Sequence, residues 1–146
     1  MNSAPTGEAA MFDDPFMFPA PLVRLLGRVA IEKADAGGAV VRYEGREEHA
    51  HSGGAMVQGG IVAAWLDHAM AIAVAATGQP IAVASLEIKV SYLAPVRVGP
   101  VLAEAWIVRQ GRSIAFLEAR LRSTDGTDLL ATASSSGKLI RLKDPS

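Results

Sequence analysis

The chain has 146 residues, half of them apolar and a fifth charged, with a formal net charge of −1 and no cysteine. Balanced charge argues against a sequence-independent nucleic-acid binder, which needs a basic face to displace counterions. Absence of cysteine excludes a disulfide framework, a thiol nucleophile and a thiolate metal site.

Residues 1–15 are small, polar or acidic and read as a flexible tail, which leaves 16–146 as a single domain. The tail lacks the basic start and apolar centre of a signal peptide. No apolar run reaches the ~18–20 residues that a membrane span needs, because Asp67 and His68 interrupt the longest. A cytoplasmic protein with no membrane or nucleic-acid partner is expected. PAPLVRLL (19–26) suits a short helix with prolines at its start. RVAIEKAD and GAVVRYEG follow as two strands around Gly37-Gly38, a hairpin signal. The polar loop REEHAHSGGAMV leads into a long helix beginning at Gln58-Gly59-Gly60 and ending near Thr77-Gly78, with Pro80 just beyond.

Four further strands are expected, as a sequential meander. In the first, IAVASLEIKVSYL, strict alternation puts Ala84, Leu86, Ile88, Val90 and Tyr92 on one face. Ser85, Glu87, Lys89 and Ser91 fall on the other. PVLAEAWIVR, RSIAFLEARLRS and DLLATASSSGKLIRL come next, joined by turns at Gln110-Gly111 and Asp125-Gly126. The long helix is apolar on nearly every side and must be enclosed. The fold class is therefore α+β: a curved antiparallel sheet wrapped around one long central helix.

The helix carries two features that suggest chemistry. Gly59 and Gly60 stand at its N-terminus, where unpaired N–H groups and a partial positive charge suit an oxyanion; the same glycines also fit a tight turn or a close contact. Asp67 lies on a face of Ala63, Ala64, Met70 and Ala71, where a carboxylate is costly to bury without a partner. It reads as a general base or nucleophile, or as half of an ion pair. On an α-helix, Gln58 and Asp67 are separated by about 13.5 Å of rise and face opposite ways. If both serve one reaction centre, two copies of the chain must supply them.

From about residue 20 to 142 the chain resembles the hotdog-fold acyl-CoA thioesterases of the phenylacetate-pathway (PaaI-like) group, through QGGIVAAWLD, ASLEIKVSYLAPVRVG and RQGRSIAFLEARL. The resemblance implies hydrolysis of an acyl-CoA thioester by a homodimer, assembled further into a homotetramer. It places Asp67 as base or nucleophile, Gly59 N–H as oxyanion donor beside Gly60, and Ser85 as the group that orients water or the acid. No metal or cofactor is implied, coenzyme A being part of the substrate. Gln58 stands where the group has histidine and Ser52 where it has asparagine. Glutamine's NH₂ can still donate to a carbonyl, but serine is shorter than asparagine. These departures keep a non-catalytic acyl-CoA-binding protein in view, along with a 3-hydroxyacyl-thioester dehydratase, which Gln58 disfavours.

His49 and His51 form an H-x-H beside Glu47 and Glu48, with no third ligand at motif spacing, so no metal site is assigned. His51 could supply a polar group in place of Ser52, and His68 reads as packing or interface. Arg97, Arg109 and Arg112 are expected to cluster at loop ends as candidate partners for coenzyme A phosphates. Phe12, Phe16 and Phe18 are candidate covers for an acyl pocket or the dimer edge.

Overall fold

The computed structural model describes Phe16 and residues 18–142; the expected tail, with Phe12, lies outside the described residues. Helix α1 (Ala20–Leu26) leads into β1 (Arg28–Asp35) and β2 (Gly38–Gly45). Ala36 and Gly37 turn between them, both with positive φ, as a tight hairpin of this hand requires. A single 3₁₀ turn (Glu47–His49) precedes the two-residue strands β3 (Ala50–His51) and β4 (Met56–Val57). Helix α2 (Gly59–Ala75) follows, and then β5 (Ile81–Tyr92), β6 (Gly99–Gln110), β7 (Ile114–Ser123) and β8 (Leu129–Arg141).

The six long strands form one antiparallel sheet in the order β1-β2-β6-β7-β8-β5, and β3 and β4 pair separately. The inward face of the sheet is built from small residues, including Ala39, Ala103, Ala105, Ala115, Ala119, Ala131 and Ala133. Their size lets the sheet approach α2 closely. Trp65, Leu66, Met70, Ile72 and Val74 fill the space between, all nearly or fully buried. This is the wrapped-helix hotdog arrangement expected from the sequence.

Three expectations change. The last four strands are not a sequential meander. Strands β6, β7 and β8 follow one another, but β5 crosses to the far edge and pairs with β8. Only the last two connections are tight turns; residues 93–98 have the length to pass out of the sheet plane and bring β6 beside β2. Second, α2 is not enclosed on every side. Ala63, Ala64, Asp67, Ala71 and Ala75 form a half-exposed stripe, bordered by Ser85 of β5 and, at its far end, by Phe16 and Phe18. Third, the alternation of β5 breaks. Ser85 pairs with Gly137 and Glu87 with Ser136, so Leu86 is an extra residue, a β-bulge. Ser85 therefore shares its face with Ile88 and Val90 rather than with Glu87 and Lys89. Among the described residues no helix is long and apolar enough to cross a membrane.

Candidate active site

The helix start is organised by Gln58. Its backbone is extended, and its side-chain Oε1 accepts the Gly60 N–H at 2.6 Å, an N-cap made by an amide. With Oε1 so occupied, the NH₂ of Gln58 is the end left to donate. Gly59 N–H has no acceptor among the described residues. Both glycines have local reasons as well. A Cβ on Gly60 would lie 2.7 Å from Gln58 Oε1. On Gly59 it would lie 3.2 Å from the ring of Tyr92, whose hydroxyl donates to Gly59 C=O at 2.7 Å. Tyr92 was not among the residues singled out from the sequence, where it reads as one more apolar position in β5. Its signal is indirect: a glycine in the first turn of a helix leaves room for something large.

Loop 46–57, which delivers the helix, is tied to α1. His49, buried at 3% exposure, accepts the Arg46 N–H on Nδ1 and donates from Nε2 to Leu25 C=O at 2.6 Å. Arg46 Nη2 donates to Arg24 C=O and Trp65 Nε1 to Leu26 C=O. The last three carbonyls of α1, Arg24 to Leu26, which a helix end leaves short of partners, are thus satisfied by side chains from elsewhere in the chain. His49 C=O in turn accepts the Gln58 N–H at 2.9 Å. Both ring nitrogens of His49 are engaged, and His68 accepts from Arg28 at 3.1 Å while packing on Phe18. Among the described residues no three His, Asp or Glu side chains converge as a ligand set.

Asp67 is half-buried and has a partner: Ser85 Oγ donates to its Oδ1 at 2.6 Å. The bulge at Leu86 makes this possible, because strict alternation would send Ser85 to the other face. The carboxylate's field reaches into the core. Burial pushes the Tyr43 phenol well above its ordinary range; Arg28 opposes that and Asp67 adds to it. Tyr43 therefore stays protonated and donates to Trp65 C=O at 3.3 Å.

The two halves of the expected site are apart. The single unbroken helix holds Asp67 about 12 Å beyond Gly59. A separate groove lies near each half. Near Gly59 a groove of ≈ 380 Å³ is lined by His51, Met56, Tyr92 and Pro95. One turn beyond Asp67, an apolar groove of ≈ 460 Å³ is lined by Phe16, Phe18, Ala71, Ala75 and Val83. Ser52 is not in the first groove; it stands in the exposed turn of the β3–β4 hairpin, and His51 takes the place beside Gly59.

The expected arginine cluster does not form within one chain. Arg97 bridges Met56 in the connection just before β6, on the Gly59 side. Arg109 and Arg112 lie at the other end of that extended strand, roughly 35 Å away at the usual rise per residue. All three are exposed.

This architecture has counterparts of known family. The pattern of the Thioesterase superfamily matches residues 54–130, from the β3–β4 hairpin to the start of β8. The chain belongs to the Thioesterase superfamily. It is a thioester hydrolase with the hotdog fold, of the PaaI-like group. A Saccharolobus solfataricus protein named as an esterase is 28% identical over 115 residues, 79% of this chain and 81% of its own. The structure of a phenylacetic acid degradation-related protein from Ralstonia eutropha JMP134 superposes with a TM-score of 0.73 at 27% identity, covering 91% of this chain and 99% of that one. A single-residue variant of the phenylacetic acid degradation protein PaaI from Thermus thermophilus gives 0.70 at 28% identity, covering 81% and 97%. In this thioesterase the matched segment holds α2 with both halves of the expected site, the β5 bulge and strands β6 and β7.

Proposed function

We propose that the chain hydrolyses an acyl-CoA thioester to the free acid and coenzyme A, at two equivalent sites each shared between the protomers of a homodimer. The observation that carries this reading is the Asp67–Ser85 hydrogen bond of 2.6 Å at mid-helix, on the half-exposed stripe of α2. The helix start of one protomer supplies Gly59 N–H and the Gln58 NH₂ to the thioester oxygen, where negative charge develops. Asp67 of the other protomer takes a proton from water as that water attacks the carbonyl carbon. The C–S bond then breaks, and the thiolate of coenzyme A leaves and takes up a proton. Ser85 fixes the carboxylate by donating to one oxygen, leaving the second to face the water. Direct attack by Asp67, followed by hydrolysis of the anhydride, uses the same geometry.

Two features favour dimerisation. The half-exposed stripe of α2 has only small residues and Asp67, so a second helix can come close. The outer edge of β5 is unpaired among the described residues and carries Leu86, Ile88 and Tyr92 at the surface. The apolar groove bounded by Phe16 and Phe18 takes the acyl group, and Arg97 with His51 faces the coenzyme side. Arg109 and Arg112 can meet the same nucleotide only from a different protomer, which the expected homotetramer would provide. The reading includes the cytoplasmic setting expected from the sequence and no metal or cofactor.

The deciding experiment follows thiol release from a panel of aliphatic and aryl acyl-CoAs. Wild type releases thiol from at least one member, and Asp67→Asn lowers kcat on it by about 10²–10³, the range for a lost general base. Undiminished hydrolysis by Asp67→Asn overturns the mechanism, and no release from any member overturns the substrate class.

A further inference from the structure

We propose that Ser135 and Gly137, on β8, are positioning residues for the Asp67–Ser85 pair, because together they hold the β5 bulge that turns Ser85 toward the helix. The proposal rests on the reading of Asp67 and Ser85 given above.

Side chains alternate along a strand, so one extra residue reverses the facing of everything before it relative to everything after it. Beyond the bulge, Glu87, Lys89 and Ser91 lie opposite Ser136, Ser134 and Thr132, on the outer face. Before it, Ser85 lies opposite Gly137, which belongs to the buried row of β8 with Ala131, Ala133 and Ser135. Without the extra residue Ser85 would point away from α2, and Asp67 would lose its partner.

A bulge disrupts the ladder and leaves backbone groups short of partners. Here the Glu87 carbonyl finds one in the hydroxyl of Ser135, at 2.7 Å. Ser135 is buried, with 7% exposure, in a row it shares with Ala131 and Ala133. Its hydroxyl serves the neighbouring strand at the bulge. Gly137 acts on the other side. A Cβ there would lie 2.3 Å from Val83 Cγ2 and 3.4 Å from Ala84 C=O. A methyl group opposite Ser85 would therefore overlap the Val83 side chain, two residues before Ser85, so this side chain or the strand would have to shift. Hydroxyl and glycine thus bracket the bulge, one after Leu86 and one before it.

The experiment is a set of double-mutant cycles on kcat, read by thiol release from the best acyl-CoA of the panel, for Ser135→Ala, Gly137→Ala and Ser85→Ala. Each of the first two is expected to lower kcat about as far as Ser85→Ala does, roughly tenfold, with KM within about twofold. In the Ser85→Ala background neither lowers kcat further, because residues acting through one group are not additive. Ser135→Thr, which keeps the hydroxyl, recovers most of the loss. A merely structural role would instead multiply the losses in both backgrounds, and that additive outcome overturns the proposal. If Ser85→Ala itself leaves kcat at the wild-type value, the assignment of Ser85 fails and the proposal goes with it. Gly137→Ala reports independently should Ser135→Ala not fold.

Discussion

At its start α2 presents Gln58, Gly59 and Gly60, and each is accounted for by neighbours inside one protomer: a side-chain cap, a tyrosine ring and the cap's own oxygen. At its middle it presents Asp67, whose hydrogen-bond donor stands on a strand turned round by an irregularity. The first region would look much the same in a helix with no function. The second would not, since a bulge, a buried serine and a glycine combine to bring one hydroxyl to one carboxylate. The geometry therefore marks the helix start weakly and the carboxylate strongly, although in the sequence the glycines look more like a motif.

The largest test of this contrast separates the two ends into different chains. Gly59→Val and Asp67→Asn should each cut hydrolysis to about a hundredth of wild type or less as homodimers. Co-refolded in equal amounts, they should regain about a quarter of wild-type activity, since half of the dimers are mixed and each holds one intact site. No recovery would place both ends in the same protomer's site.

The helix start can next be loosened without touching its donors. His49→Ala removes the acceptor of the Arg46 N–H and leaves Leu25 C=O only the longer bond from Arg46 Nη2, and should lower stability by about 1–3 kcal/mol in denaturant titration. Activity at saturating substrate should survive wherever the protein stays folded. Tyr92→Phe keeps the ring against Gly59 but removes its hydrogen bond, which should cost about 1 kcal/mol and appear in kcat/KM as a several-fold loss.

The smallest effect is a control distant from both regions. On the outer face of the sheet Glu104 accepts from Arg120 at 2.8 Å and also from Arg122. Partial burial alone would raise its carboxyl, but the hydrogen bonds and charges of Arg120 and Arg122 outweigh it and hold it below the ordinary range. A lowered folded-state value contributes stability that is present above the ordinary carboxylate range and lost as pH falls through the lowered value. Glu104→Gln should therefore destabilise by less than about 1 kcal/mol at neutral pH, with the difference vanishing in acid, and leave kcat unchanged.

Much of this was legible in the sequence. Periodicity and turn residues located both helices and every long strand, and the helix rise already required two copies of the chain if Gly59 and Asp67 were to meet. The errors in strand order, in the facing of Ser85 and in the arginines share one physical origin, pairings made at long range. Which strand lies beside β5 depends on connections, not on its own residues. The bulge at Leu86 depends on Ser135 and Gly137, some fifty residues on, so alternation read along β5 put Ser85 on the wrong face. The arginines looked like neighbours because each sits beside a turn, and a turn says nothing about which end of the sheet it occupies. Tyr92 was missed for the same reason: its partner Gly59 lies on another element.

The edge position of β5 also governs when the enzyme can form. As the chain emerges from the ribosome, α2 and β5 appear well before β8, the strand of this sheet with which β5 pairs. Ser85 cannot be turned toward Asp67 until Gly137 has been synthesised and released, so the carboxylate partner is completed by the last strand of the sheet. Until then β5 offers two open edges, and a nascent chain stalled or truncated ahead of β8 is a template for association with other strands.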